Sequence, residues 1–191
     1  MKFALVIEER REAEPNLSGL CAACGQPMVA KCGEVRLWHW AHQRSGACDH
    51  WWENETEWHR SWKGRFPLDW QEIVHRAEGG ERHIADVKTD QDWVLEFQHS
   101  YIDSEERRSR EAFYPKMLWV VNGARRIRDK QQFLRTLERG WPVGAKSQVQ
   151  RVRSDECTIL REWARGGSPV FLDFGADEPV LWWLLHTAPT D

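Results

Sequence analysis

The clearest alternation of apolar and polar positions runs from Arg82 to Gln98. Two β-rich stretches, 82–89 and 93–99, flank a polar break at Asp90-Gln91-Asp92, which reads as a hairpin with a three-residue loop. With that loop, Thr89 faces Trp93, Asp86 lies opposite Glu96, and Ile84 lies opposite Gln98. Directly opposed residues share a face, with Cβ atoms roughly 4.5–5.5 Å apart. The other face collects Ala85, Val87, Trp93, Leu95 and Phe97, an apolar side suited to a core. A two-residue loop would send Asp86 and Glu96 to opposite faces, so the loop length decides whether the two acids meet.

Elements of a different period surround this hairpin. A helix is expected over about 53–64, capped by Asn54, with Glu55 and Glu57 in its first turn and Pro67 beyond its end. On such a helix Glu55, His59 and Lys63 recur at intervals of four and share a face, with Trp58 and Trp62 on the adjoining stripe to bury it. A strand follows around Glu72–Arg76, then a turn at Glu78-Gly79-Gly80. After the hairpin, Asp103 or Ser104 caps a helix that carries Glu105 and Glu106 in its first turn and ends near Tyr114, before Pro115. Met117–Val121 is a continuous apolar run, as expected of a strand buried on both faces. Asn122-Gly123 turns the chain into a third helix, Arg128–Glu138, stopped by Gly140. The order is α, β, β, β, α, β, α. The tail, 141–191, offers two strands, 170–174 and 180–185, around a turn that starts at Gly175. They could extend the sheet, and Asp173 on the first is read as incidental.

Composition changes this picture little. The chain has 191 residues, 41% hydrophobic and 30% charged, which suits a globular protein. No segment approaches the ~18 apolar residues of a membrane span, and Met1–Ile7 is too short for a signal peptide, so a cytoplasmic location is expected with no membrane partner. The thirteen tryptophans are read first as core and second as stacking surfaces for bases. A net charge of −3 excludes a wholly basic nucleic-acid coat and leaves room for a local basic groove, for which Arg107, Arg108, Arg110, Arg125, Arg126 and Arg128 are candidates.

Four of the five cysteines fall between positions 21 and 48, a density that favours metal over disulfides in a reducing compartment. Cys21 and Cys24 form a knuckle able to chelate Zn²⁺, with partners to be drawn from Cys32, His39, His42, Cys48 and His50. Cys48 with one histidine is the favoured completion, His42 ahead of His39. The domain expectation is a zinc module over 1–50, a mixed α/β (α+β) core over 51–140, joined through Trp51 and Trp52, and an extension over 141–191.

Two carboxylates held face to face repel unless a proton or cation sits between them, and Mg²⁺ takes that kind of oxygen site. An acid, nine intervening residues, then an acid followed two positions later by a polar residue resembles the PD-(D/E)XK nucleases, with Asp86 and Glu96 as the acids and Gln98 in the place of the usual lysine. The α-β-β-β-α-β order is that of a restriction-endonuclease-like core.

The blocks Glu55-Thr56-Glu57-Trp58-His59 with Lys63, Ile84-Ala85-Asp86-Val87, Glu96-Phe97-Gln98-His99-Ser100, and Arg110 with Tyr114 together resemble the CoiA-like competence proteins. So do Cys21-Ala22-Ala23-Cys24 and His39-Trp40-Ala41-His42, in a likeness covering roughly residues 18–121. The resemblance implies a PD-(D/E)XK fold and a role on incoming DNA around recombination. It implies a catalytic set of Glu55, His59, Asp86, Glu96 and Gln98, with Lys63 as a further candidate, Mg²⁺ or Mn²⁺ at the acids, and structural Zn²⁺. Glu57 is the rival of Glu55. Arg110 and Tyr114, with Ser100, would contact nucleic acid, and Gln98 would orient the attacking water. The expected function is therefore a metal-dependent DNA nuclease, working with recombination or DNA-processing proteins. The alternative is a non-catalytic zinc-dependent DNA- or protein-binding module on a nuclease fold. Strandedness, cleavage mode and oligomeric state are not written in the sequence.

Overall fold

The computed structural model describes residues 1–44, 48–51, 55–145, 147–175 and 180–185. The expected cap at Asn54, the linker residue Trp52 and the turn residues 176–178 lie outside them. The chain divides into two compact units, Met1–Glu96 and Phe97–Asp191. The division falls inside one strand of the hairpin, and not near 50 or 140.

The first unit opens with five short strands: β1 (Phe3–Val6), β2 (Glu9–Glu12), β3 (Ser18–Leu20), β4 (Pro27–Lys31) and β5 (His39–His42). They form one antiparallel sheet in the order β2-β1-β3-β4-β5. This sheet was not legible from periodicity, because its strands are three to five residues long and β2 is exposed throughout. Its core is Met1, Ala4, Ala13, Cys21, Ala23, Met28 and Trp40, with Val74 and Ile84 packed against it. Gly19 lets β1 and β3 close up, since a Cβ there would stand 2.8 Å from the Leu5 carbonyl.

Helix α1 (Glu57–Lys63) starts later than expected. Thr56 is extended and caps it: the His59 N–H donates to the Thr56 hydroxyl, and the Thr56 N–H donates to the His59 ring. Glu55 therefore precedes the helix instead of sitting in its first turn. The buried face of α1 is His59 and Lys63, with Trp58 and Trp62 half-buried beside it. Then come β6 (Gln71–Arg76), β7 (Arg82–Lys88) and β8 (Val94–Gln98).

The hairpin has the expected parity. Val87 pairs with Leu95 and Lys88 with Val94, and the Thr89 N–H donates to the Trp93 carbonyl to close the loop. Ala85, Val87 and Phe97 are buried as expected, Leu95 is half-buried, and Trp93 at the loop is exposed. The Asp86 face is not solvated on β8, where Glu96 and Gln98 are both buried.

The second unit holds α2 (Ser104–Phe113), β9 (Met117–Asn122), α3 (Ile127–Glu138), β10 (Trp141–Pro142), β11 (Gln150–Arg151), α4 (Thr158–Trp163), β12 (Val170–Asp173) and β13 (Leu181–Leu184). Asp103 caps α2, its carboxylate accepting from Glu105 and Glu106 N–H. The two tail strands do extend a sheet: β12 lies parallel to β9, and β13 pairs antiparallel with β12. Helix α4 was not anticipated; its six residues include buried Ile159, Leu160 and Trp163, and the Trp163 ring meets buried Trp119 edge-on. The tryptophans divide accordingly: Trp40, Trp51, Trp119 and Trp163 are core, whereas Trp38, Trp93, Trp141 and Trp183 are exposed. The architecture is a mixed α+β fold with sheets and four helices among the described residues.

Candidate functional site

The knuckle is built by a tight turn between β3 and β4. The Gly25 N–H donates to the Cys21 carbonyl, the Cys21 N–H donates to the Gln26 carbonyl, and Gly25 takes φ +71°, a conformation glycine adopts without strain. His42 reaches the same place from β5, and Cys48 from the segment beyond it. The Cys21 and Cys48 sulfurs are 3.5 Å apart, and Cys24 Sγ is 3.4 Å from His42 Nε2. All four ligand atoms lie within 4.8 Å of one another. A tetrahedral zinc with Zn–S bonds near 2.3 Å has an S···S edge of about 3.8 Å, so the set fits a structural Zn²⁺. Burial pushes the Cys21 and Cys48 thiols up. At Cys24 burial acts the same way but is outweighed by hydrogen bonds from the Gln26 N–H and the neighbouring thiols. Burial, followed by the charge of the chain's N-terminal ammonium, lowers His42 and keeps its ring neutral, as a ligand must be.

His39 is not in this set, which corrects its inclusion among the ligands. It sits three residues from His42 on one strand, hence on the opposite face, and its Nδ1 meets the Leu37 carbonyl at 2.8 Å. Cys32 instead packs against the N-terminal core.

The second convergence lies in the same unit, around Lys63. The Lys63 ammonium is 2.5 Å from Glu55 Oε1, 2.8 Å from Glu72 Oε1 and 3.8 Å from Asp86 Oδ1. Glu96 closes the group: its Oε1 accepts from the Asp86 N–H at 3.3 Å. Asp86 is the most open member, with a quarter of its side chain exposed against 4–6% for Lys63, Glu55 and Glu72. Glu55 also pairs with Arg60 at 2.6 Å. Glu57 is exposed on α1, so of the two rivals it is Glu55 that the structure brings to the group.

Glu72 was missing from the expected set. On β6, Gln71 pairs with Val87 and Ile73 with Ala85, so Glu72 falls level with Asp86, which in turn opposes Glu96. A transverse row of three carboxylates therefore crosses three strands. Glu72 holds φ +46°, an uncommon value for a residue with a side chain, and its carboxylate accepts from Lys2 N–H and Phe3 N–H as well as Lys63. A count across the Gly79-Gly80 turn would have found it. Burial pushes Glu72 up, but the Lys63 ammonium more than reverses this, and its carboxyl is held at about 2. Burial lowers Lys63, and Glu72, Asp86 and Glu55 together outweigh it and raise it. Glu55 is lowered, burial opposing the attraction of Lys63.

The remaining expected residues make the following contacts. His59 is buried in the α1 cap. Gln98 is buried and its amide donates to the Ser100 carbonyl, while the Ser100 hydroxyl donates to the Tyr101 carbonyl. Arg110 is buried, paired with Glu106 at 2.5 Å and set over the Trp119 ring, and Tyr114 is buried. These two therefore do not present a phosphate-contacting surface, contrary to expectation. The expected arginine patch is also largely neutralised internally. Arg107 lies 3.6 Å from Glu111, and Arg125 and Arg126 lie 2.6 and 2.8 Å from Glu162. Arg108 and Arg128 are exposed. No helix among the described residues is long and apolar enough to cross a membrane.

Residues 8–50 match the family described as competence protein CoiA, N-terminal domain. That span contains the four knuckle ligands. No curated protein and no solved structure matches the chain. The match covers residues 8–50 of the 191, so the likeness to competence protein CoiA is one of this N-terminal stretch.

Proposed function

We propose that this CoiA-like protein is a metal-dependent DNA nuclease, hydrolysing phosphodiester bonds at the Glu55–Lys63–Glu72–Asp86–Glu96 cluster. The observation that carries the reading is the convergence of three carboxylates on one buried ammonium, with Glu96 beside Asp86 and Asp86 partly open to solvent. Acids in excess of their cations provide the oxygen-rich, negative environment that Mg²⁺ or Mn²⁺ takes. When bound, the ion would lower the pKa of a water and stabilise charge on the phosphate.

The chain's own residues would divide the work as follows. Asp86 and Glu96 supply the ligand oxygens. Lys63 supplies the positive charge that Gln98 cannot, since an amide can orient a water but carries no charge. Glu55 and Glu72 hold the Lys63 side chain in one place, from which a phosphate oxygen approaching Asp86 would meet a cation. His59, one turn before Lys63 on the same face, positions the start of α1. The zinc knuckle braces the sheet that β1 shares, and β1 donates the backbone N–H of Phe3 to Glu72. The biological setting that the CoiA-like N-terminal match suggests is processing of incoming DNA near recombination.

Cleavage of plasmid and single-stranded DNA with Mg²⁺ or Mn²⁺ tests the proposal, comparing the natural chain with Asp86→Ala and Glu96→Ala. Metal-dependent cutting that both substitutions abolish is expected. No cutting by pure protein, or equal cutting by the variants, overturns it and leaves the non-catalytic zinc-dependent binding module.

A further inference from the structure

We propose that Asp49, His50 and His83 form a second metal site, for a first-row divalent transition ion such as Zn²⁺, Co²⁺ or Ni²⁺. It is separate from the cysteine quartet, although Asp49 follows Cys48 directly in the chain. The three residues offer one carboxylate oxygen and two imidazole nitrogens, all within 4.8 Å of one another. Imidazole with carboxylate is the donor set that such ions accept, and three protein ligands leave a position for water.

The carboxylate is preorganised. Asp49 Oδ1 accepts from the Trp51 N–H at 3.0 Å, and Oδ2 accepts from the Ile84 N–H at 2.8 Å. Asp49 Oδ1 also lies 2.8 Å from His83 Nδ1. His83 is buried on the apolar side of β7, its ring stacked on Trp51. Its other nitrogen, Nε2, lies 3.0 Å from Glu81 Oε1. A ligating histidine commonly donates its second N–H to a carboxylate, which fixes the tautomer and leaves the first nitrogen to the ion. Glu81 stands in that place.

Hydrogen bonds to Asp49 and Glu81 alone would give the His83 ring a partner at each nitrogen and no part to His50. Yet the His50 ring stands edge-on to His83, with centroids 5.1 Å apart. His50 is exposed. A modest rotation would bring its nitrogen to the edge of about 3.3 Å that bonds of 2.0–2.1 Å require.

The test equilibrates the full chain with Co²⁺ in excess Mg²⁺, which occupies oxygen-only sites without competing for imidazole. Bound cobalt is counted and its absorption spectrum recorded. Two equivalents are expected, one with thiolate-to-metal charge transfer and one without. His50→Ala, an exposed substitution, should lose the second equivalent and leave the thiolate band unchanged. One equivalent in the natural chain, two in His50→Ala, or loss of the thiolate band in that variant would each overturn the site.

Discussion

The two convergences of the first unit, the cysteine–histidine quartet and the acidic row around Lys63, solve opposite electrostatic problems. The quartet gathers three thiols and a neutral imidazole, whose proximity a metal would make favourable. The acidic row gathers full charges and already contains a cation that offsets part of them. The first is therefore a site whose stability comes from outside the chain, the second one whose stability is internal. Each is vulnerable at a different point: one to a chelator, the other to a proton or to loss of a single lysine.

The largest effect that would break this comparison concerns the quartet. Cys21→Ser with Cys24→Ser, or a strong chelator, should remove zinc and destabilise the first unit by several kcal/mol, a fall in melting temperature of roughly 10 °C. Metal analysis with a thermal melt checks it; full zinc content in the double variant would refute the ligand assignment. Next comes Lys63→Met. It strands Glu55, Glu72 and Asp86 without their shared ammonium and should cost about 3–5 kcal/mol in urea unfolding. Zinc content should not change, which is what separates the two sites.

The acidic row also predicts a pH dependence. Glu72 is held at about 2 against an ordinary 4.5, so the unfolded chain binds the extra proton between those values. Its contribution is thus fully present above about pH 4.5 and is lost as pH falls through about 2. Unfolding free energies measured from pH 5 to 2 should show that slope, and Glu72→Gln should flatten it. The smallest expected effect is Asp86→Asn. With a quarter of its side chain exposed and its ion pair at 3.8 Å, the change should cost about 0–1 kcal/mol. A larger loss would mean Asp86 belongs to the structural half of the row and not to its solvent-facing end.

Legibility in the sequence followed distance along the chain. The hairpin could be read because three loop residues fix its parity, so Asp86 and Glu96 were placed together by counting alone. The knuckle was legible in part for the same reason, since Cys21 and Cys24 sit in one turn; His39 was kept beside His42 because the strand that puts the two on opposite faces is only four residues long. Glu72 was not, because its partners are the N–H groups of Lys2 and Phe3, 70 and 69 residues away, and a lysine one element earlier. Glu55 was assigned to the wrong local structure because Thr56 competed with Asn54 for the cap, and a β-branched hydroxyl residue won through its exchange with His59. Of the acids that neutralise the arginines of the second unit, Glu106 and Glu111 stand four residues from Arg110 and Arg107 on one helix and could have been counted, whereas Glu162 lies 37 and 36 residues from Arg125 and Arg126 and could not. Helix α4 was missed because six residues are too few to show a period.

The Glu72 latch also says something about how the chain reaches its native state. One side chain on β6 stitches the first strand to the row around Lys63, a contact of very long sequence separation. The N-terminal sheet thus cannot receive all its hydrogen-bond partners until the chain has grown past residue 72. Contacts of this span raise contact order and slow folding, since the loop must be closed before any of them forms. During synthesis, the early strands of this protein wait for the segment that will hold them.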